Sequence, residues 1–334
     1  MKKLCIILLM SVSAIAGFAQ DIHFSQFYNS PLTLNPTLTG LADGKFRVGG
    51  IYRTQWSKVA RPFRTASVAF DMPIQAGFAD GDKLGVGLVL FHDQTGEYNF
   101  TTLTVNGSFA YHKVLDRENR HYLSLGVQVG FTQKRFDNSK GFFADQVDGT
   151  LTGGGTTAEN ISSNSIIHEN LNVGLSYSGR LSEKTAIYIG GAMFNVTQPN
   201  ESFMNRDDQR LPYRVSVNAG AEIGIGKGGF QLLPSVIYQT QAAASEVNAG
   251  LGLGYKFKSD FKVIVGAYYR VGDAVIPMVA LGYKGFNVGV SFDINNSDLK
   301  QAASGNNALE FSLNYAMPWK KLPNQPSIFF APKF

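Results

Sequence analysis

From Lys45 to Ala316 apolar and polar residues alternate with a period of two, the signature of strands with one face apolar. Leu103, Val105, Phe109 and Tyr111 fall on one face, and Thr102, Thr104, Asn106, Ser108 and His112 on the other. Leu123, Leu125, Val127, Val129 and Phe131 oppose Ser124, Gly126, Gln128 and Gly130; Val215, Val217, Ala219, Ala221 and Ile223 oppose Arg214, Ser216, Asn218, Gly220, Glu222 and Gly224. The pattern predicts fourteen strands, at 45–56, 63–72, 84–94, 98–115, 121–135, 170–179, 185–195, 213–225, 230–239, 246–257, 261–270, 274–283, 286–292 and 308–316. No convincing amphipathic helix appears.

Such strands build either a soluble sandwich or a membrane barrel. One face is dense in Leu, Val and aromatics, the other in Gly, Ser, Asn and Thr with scattered charge, which suits lipid outside and a polar lumen inside. The strands run to about ten residues, enough to cross a bilayer at a tilt. Tyr111, Tyr177, Tyr255, Tyr283 and Tyr315 lie near the C-terminal ends of even-numbered strands, on the apolar face. In an antiparallel barrel those ends share one interface, so the five form part of a periplasmic aromatic girdle. The longest connections (136–169, 196–212, 293–307) follow odd strands and the short ones mostly follow even strands, with 73–83 the exception. The fold class expected is therefore all-β: a transmembrane antiparallel β-barrel of about fourteen strands with an N-terminal plug segment and both ends periplasmic. Leu103, Val105, Leu123, Val127, Val173, Leu175, Val215, Val217, Val288 and Leu313 should face lipid. Arginine should be far milder at lumenal Asn218 than at Val217.

The lumen face carries Gly85, Gly87, Gly126, Gly130, Gly174, Gly220, Gly224, Gly250, Gly252 and Gly254. Glycine inside a strand often marks close approach of another backbone, and fourteen strands leave a lumen that their own side chains do not fill. The inward charges are mixed in sign, among them Arg47, Arg53, Asp71, Arg270 and Glu310. That mixture favours salt bridges to a plug over an ion-selective pore.

Residues 21–44 supply the candidate plug, since they show no strand or helix period. Phe24, Phe27 and Tyr28 are too concentrated for a free tail, and the residues before Pro31 and Pro36 are pushed toward extended backbone. The segment is expected largely within or across the periplasmic mouth; a periplasmic docking arm is the other reading. The run His23-Phe24-Ser25-Gln26-Phe27-Tyr28, followed by Ser30-Pro31-Leu32 and Leu34-Asn35-Pro36 and then Thr39-Gly40, resembles the opening of the PorP/SprF family. Those are outer-membrane proteins of the Bacteroidetes type IX secretion system, some linked to gliding motility. The resemblance implies a non-enzymatic role in exporting or retaining one cognate surface protein, or in anchoring the machinery. The implied partners are a secreted protein with a C-terminal targeting domain and periplasmic or lipoprotein components. The competing reading is a diffusion channel or hydrophobic-substrate transporter of the fatty-acid-transporter type.

Composition changes this picture little. Lys2-Lys3, an apolar run to Gly17 and the small residues Gly17 and Ala19 read as a signal peptide over 1–19. Segment 20–44 follows, then the barrel at 45–316 and a proline-rich periplasmic tail at 317–334. Cys5, the only cysteine, lies in the signal peptide, so the mature chain has no disulfide or thiolate chemistry. Charged residues are only 16% of the chain and form no like-charge block, so no nucleic-acid partner is expected. His23, His112, His121 and His168 show no metal-ligand spacing, and Gly153-Gly154-Gly155 lacks the lysine of a phosphate loop. His92-Asp93 with Asp207-Asp208 supplies the residue types of a rim protease, but neighbouring strand residues point to opposite faces, so only one of His92 and Asp93 reaches a shared site. No catalytic residue, metal or cofactor is expected.

Overall fold

The computed structural model describes residues 23–42, 44–55, 62–75, 81–96, 99–137, 164–204, 209–257, 260–296 and 306–318. The signal-peptide assignment, Gly153–Gly155, Asp207, Asp208 and all of the tail beyond Pro318 lie outside these residues. The strands are β1 (Arg47–Gln55), β2 (Phe63–Gln75), β3 (Lys83–Thr95), β4 (Phe100–Val114), β5 (His121–Arg135), β6 (Ser165–Ser182), β7 (Thr185–Phe194), β8 (Arg214–Ile225), β9 (Phe230–Gln241), β10 (Ala244–Lys256), β11 (Phe261–Arg270), β12 (Ala274–Tyr283), β13 (Phe286–Asn295) and β14 (Asn306–Ala316). Each pairs antiparallel with its sequence neighbours, and β14 closes on β1, with Arg47 opposite Ala316. Closure leaves no edge strand with unpaired backbone groups.

Several strands outrun the alternation. β6 begins at Ser165 rather than 170, and β13 continues to Asn295 rather than 292. The added residues, such as His168, Asp293 and Asn295, are polar and interrupt the apolar rhythm. They nonetheless pair in the sheet and point into the lumen, where they are buried. Polarity there marks an inward position and not a loop.

All ten positions expected to face lipid lie on the outer face, where Leu175, Val217 and Leu313 are among the exposed apolar side chains. Among the described residues no helix is long and apolar enough to cross a membrane. The inner face departs from a uniformly polar lumen. Tyr188 of β7, Leu233 and Ile237 of β9, Ile264 and Tyr268 of β11, and Ile276 and Met278 of β12 point inward and are buried. They form one cluster with Phe27, Tyr28, Leu34, Leu38 and Leu41. The barrel's hydrophobic core is therefore inside the lumen, between one sector of the wall and the segment that precedes β1.

That segment forms three single helical turns, at Phe27–Asn29, Pro31–Leu34 and Pro36–Leu38. Each proline opens its turn, where a missing N–H costs nothing. The Asn35 side chain accepts from the Thr37 amide at 3.0 Å, capping the last turn. One turn is too short for a 3.6-residue period to be visible in sequence, so these helices were absent from the expectation.

Candidate functional site: the lumen and its occupant

Two rims frame the lumen. The near rim holds the start of β1 and the end of β14; the far rim holds Gln55, Thr95, Arg135 and Arg270 at the ends of odd strands. Residues 23–42 run between them.

At the near rim Asp71 accepts from the Gly40 amide at 2.7 Å and from Arg47 Nε at 2.8 Å. Arg47 Nη2 also donates to the Leu38 carbonyl at 3.2 Å. His112 Nε2 lies 2.8 Å from the Thr39 carbonyl, which can only accept, so that nitrogen carries the proton. Its Nδ1 then accepts from Ser124 Oγ at 2.8 Å. Gly40 has φ of +74° and lies against Gly85; a Cβ on Gly40 would strike the Gly85 Cα, and one on Gly85 would strike the Thr39 carbonyl.

In the middle of the lumen a Cβ on Gly126 would lie 2.5 Å from the Thr37 nitrogen. Gly174 leaves room for the Asn35 side chain, and Gly87 for Thr39. Close approach of a second chain segment thus explains Gly85, Gly126 and Gly174, while Gly87 is crowded first by Phe70 and Asp71 of the neighbouring strand. It does not explain Gly220, Gly250, Gly252 or Gly254, which make room for inward side chains of the barrel itself, Ser235, Tyr268, Ile264 and Leu233. The rings of Phe27 and Tyr28 pack on Tyr268 at centroid distances of 5.9 and 5.3 Å.

Toward the far rim the segment meets a buried ionic network. Arg53 Nη1 donates to Glu310 Oε1 at 2.5 Å and Nη2 to Asp293 Oδ2 at 3.0 Å. Arg270 Nη1 reaches the same Asp293 oxygen at 3.0 Å. Ser25 Oγ accepts from both guanidiniums, at 2.7 and 2.5 Å, and donates to Asp293 at 2.8 Å. Glu310 accepts from the amides of Ser25 and Gln26 at 2.6 and 2.8 Å. His23 Nε2 lies 2.7 Å from Glu246. The segment thus reaches well past the near mouth to which the sequence assigned it. Mutual pairing of two cations and two carboxylates offsets part of the desolvation cost of burying them. Asp293 and Glu246 were missed among the inward charges: the first lay beyond the expected end of its strand, the second at the first residue of its own.

Of the family-motif residues, Phe24, Ser25, Gln26, Phe27, Tyr28, Pro31, Asn35, Pro36 and Gly40 are all buried within the barrel and His23 is half-buried. The five tyrosines lie apart from this site, on the outer face at the near rim. Tyr111 donates to Asp82, and this hydrogen bond, with those from Val114 and Lys113, holds the Asp82 carboxyl below the usual range. Tyr177 pairs with His121 Nδ1 at 2.7 Å. Tyr255 packs between Phe230 and Phe257, each at 4.6 Å; Tyr283 lies 5.1 Å from Lys284 Nζ, and Tyr315 stacks on Phe286 at 4.4 Å. His92 is exposed on the outer face, whereas Asp93 points inward and accepts from Thr65 Oγ1 at 2.7 Å, so no His-Asp pair forms.

One part of the lumen is not taken by the segment. A cavity of about 460 Å³ in the far half is lined by wall residues of β2 to β8 and by Asn195, Glu201 and Leu211 of the β7–β8 connection, and is floored by Leu32 and Thr33. At its side Glu201 joins Lys134 Nζ at 2.5 Å and His168 Nε2 at 3.1 Å. Burial pushes the Glu201 carboxyl up, but the His168 hydrogen bond and the Lys134 ammonium outweigh it and hold the group below its ordinary range.

A family model described as type IX secretion system membrane protein PorP/SprF matches residues 16–315. No curated protein matches the chain. Among solved structures, the Pseudomonas putida toluene transporter TodX aligns with a TM-score of 0.53 at 11% identity, over 86% of this chain and 91% of that one. The Ralstonia pickettii toluene transporter TbuX aligns with a TM-score of 0.51 at 12% identity, over 86% and 92%. At such identities the likeness is one of fold.

Proposed function

The chain belongs to the PorP/SprF family of type IX secretion system membrane proteins, and from that premise we propose that it serves export as a closed outer-membrane platform and not as a conduit. In this reading it holds a cognate secreted protein with a C-terminal targeting domain, or anchors periplasmic or lipoprotein parts of the machinery. It performs no catalysis. Residues 23–42 act as the plug, and Tyr111, Tyr177, Tyr255, Tyr283 and Tyr315 belong to the periplasmic aromatic girdle.

The observation that carries this reading is the occupied lumen. Gln26, Asn35, Thr37, Thr39, Leu38 and Leu41 are essentially inaccessible to solvent, and Gln26, Asn35, Leu38 and Thr39 are hydrogen-bonded to the wall along its height. A diffusion channel needs a continuous aqueous path, and a hydrocarbon transporter an apolar one. The cavity left in the far half ends on Leu32 and Thr33 and carries Asn106, Gln128, Asn170 and Asn172 on its wall. The transporter reading retains the support of the shared fold with TodX and TbuX.

Purification of the native protein through an affinity tag decides between them. A platform co-purifies with a large secreted protein and shows no solute uptake in proteoliposomes. Uptake of decanoate or toluene by the protein alone, without a co-purifying secreted protein, would assign it to transport.

A further inference from the structure

The carboxamides that hold segment 23–42 continue past it along the wall of the far cavity. Around the segment, lumen side chains bind its backbone as one peptide binds another. Gln128 Nε2 donates to the Leu32 carbonyl at 2.7 Å, Asn314 Nδ2 to that of Asn29 at 3.4 Å, and Asn248 Nδ2 to that of Ser25 at 3.4 Å. Beyond Gln128 the same equipment lines the far cavity. Asn172 Nδ2 donates to Gln128 Oε1 at 3.1 Å, and Asn170 Nδ2 donates to Thr132 Oγ1 at 2.8 Å and Asn106 Oδ1 at 3.2 Å. Asn106, Gln128, Asn170 and Asn172 are each more than nine-tenths buried, so the array is fixed before any ligand arrives. Phe91, packed on Phe24 at 6.1 Å, adds an apolar wall.

The lining selects among ligands. A hydrocarbon would set the spare hydrogen-bonding capacity of these carboxamides and hydroxyls against an apolar surface, at about 1–3 kcal/mol for each group left unsatisfied. The charges in the lining are mixed in sign and each is already engaged: Lys134 by Glu201, Asp93 by the Thr65 hydroxyl at 2.7 Å, and Arg214 by the Phe194 ring at 4.0 Å and the Gln239 amide oxygen. A peptide backbone, with one donor and one acceptor per residue, is what this wall already binds at Leu32. The volume of about 460 Å³ lies in the range of small-ligand sites and excludes a folded domain.

We propose that the far cavity is a binding site for a short, extended, uncharged polar peptide segment entering from the far rim. Resting on the secretion reading, the natural source of that segment is the exported partner, whose retention at the surface would then depend on threading a few residues into the barrel.

The test is panning of a phage-displayed random heptapeptide library on the full-length barrel in nanodiscs. Enriched peptides should be polar and uncharged. Their binding should fall about tenfold or more with Thr102→Trp, which fills the cavity, and with Asn170→Leu, which breaks the carboxamide array. Unchanged heat-modifiable mobility on gels would show that each variant is folded, and either folded variant suffices. Failure to enrich, equal binding to the folded variants, or cavity-dependent binding only to a glycan array would overturn the site, as would photo-cross-linking of position 102 only to residues 138–163 of the same chain. Co-purification of a secreted protein is read separately. If it persists undiminished in Thr102→Trp, the peptide site is wrong and the secretion reading stands. If the wild type captures no secreted protein yet enriches peptides, the reverse holds.

Discussion

Arg53 and Asp293 stand 240 residues apart in sequence and 3.0 Å apart in space, and the hydroxyl of Ser25 is bonded to both. A residue ahead of the first strand is thereby tied to the first and thirteenth. The Glu310 contact extends the tie to the strand that closes the barrel.

Removal of one partner from this network should be costly because the others remain buried. Arg53→Ala should destabilise the barrel by about 3–5 kcal/mol. Ser25→Ala, which deletes one hydroxyl, should cost about 1–3 kcal/mol. Urea unfolding in a defined lipid, followed by tryptophan fluorescence, measures both; near-equal, small losses would mean that the network is solvated.

The two faces of the wall respond oppositely to the same truncation. Leu233 faces the lumenal core and is 1% exposed, so Leu233→Ala should cost about 2–5 kcal/mol. Leu175 faces outward and is 52% exposed, so Leu175→Ala should cost much less, whereas Leu175→Arg should cost about 2–4 kcal/mol near mid-membrane. Asn218, which the alternation marks as a tolerant lumen position, is 2% exposed and bonded to Tyr188. Arginine there has no room, so the mild outcome expected from alternation alone does not hold.

Gly126 and Gly252 test the packing of the segment. A Cβ at Gly126 meets segment backbone at 2.5 Å, whereas one at Gly252 meets the end of the Ile264 side chain at 3.3 Å. Gly126→Ala should cost about 1–3 kcal/mol through overpacking and should speed proteolysis within 23–42. Gly252→Ala should leave proteolysis unchanged.

Much of the barrel was legible because lipid outside and polar groups inside give a clean alternation. The lumenal core was harder to read. β12, AVIPMVALGY, barely alternates because Val275, Val279 and Leu281 face out while Ile276, Met278 and Ala280 face the segment. Loss of alternation in β12, and inward Leu233 and Ile237 in β9, were the available signals that something apolar fills that sector. The single-turn helices had no such signal, since a proline fixes where a turn starts and not where it packs. The far cavity was not legible either, since its carboxamides come from strands whose juxtaposition is set only by register.

The Glu201 clip predicts a pH response. Its carboxyl is held below the ordinary 4.5, so its contribution is fully present above that value and is lost as pH falls through the depressed folded value. Hydrogen exchange around Glu201, after correction for intrinsic rates, should therefore rise as pH falls below the ordinary carboxylate range. Glu201→Gln should weaken the clip at neutral pH and remove the step.

Conductance across a planar bilayer tests the closed lumen most directly. The full-length barrel should be silent, and a chain lacking residues 23–40 should open steps of stable current and melt at lower temperature. Stable current from the full-length protein, or a truncated barrel as silent and as stable as the intact one, would contradict the account.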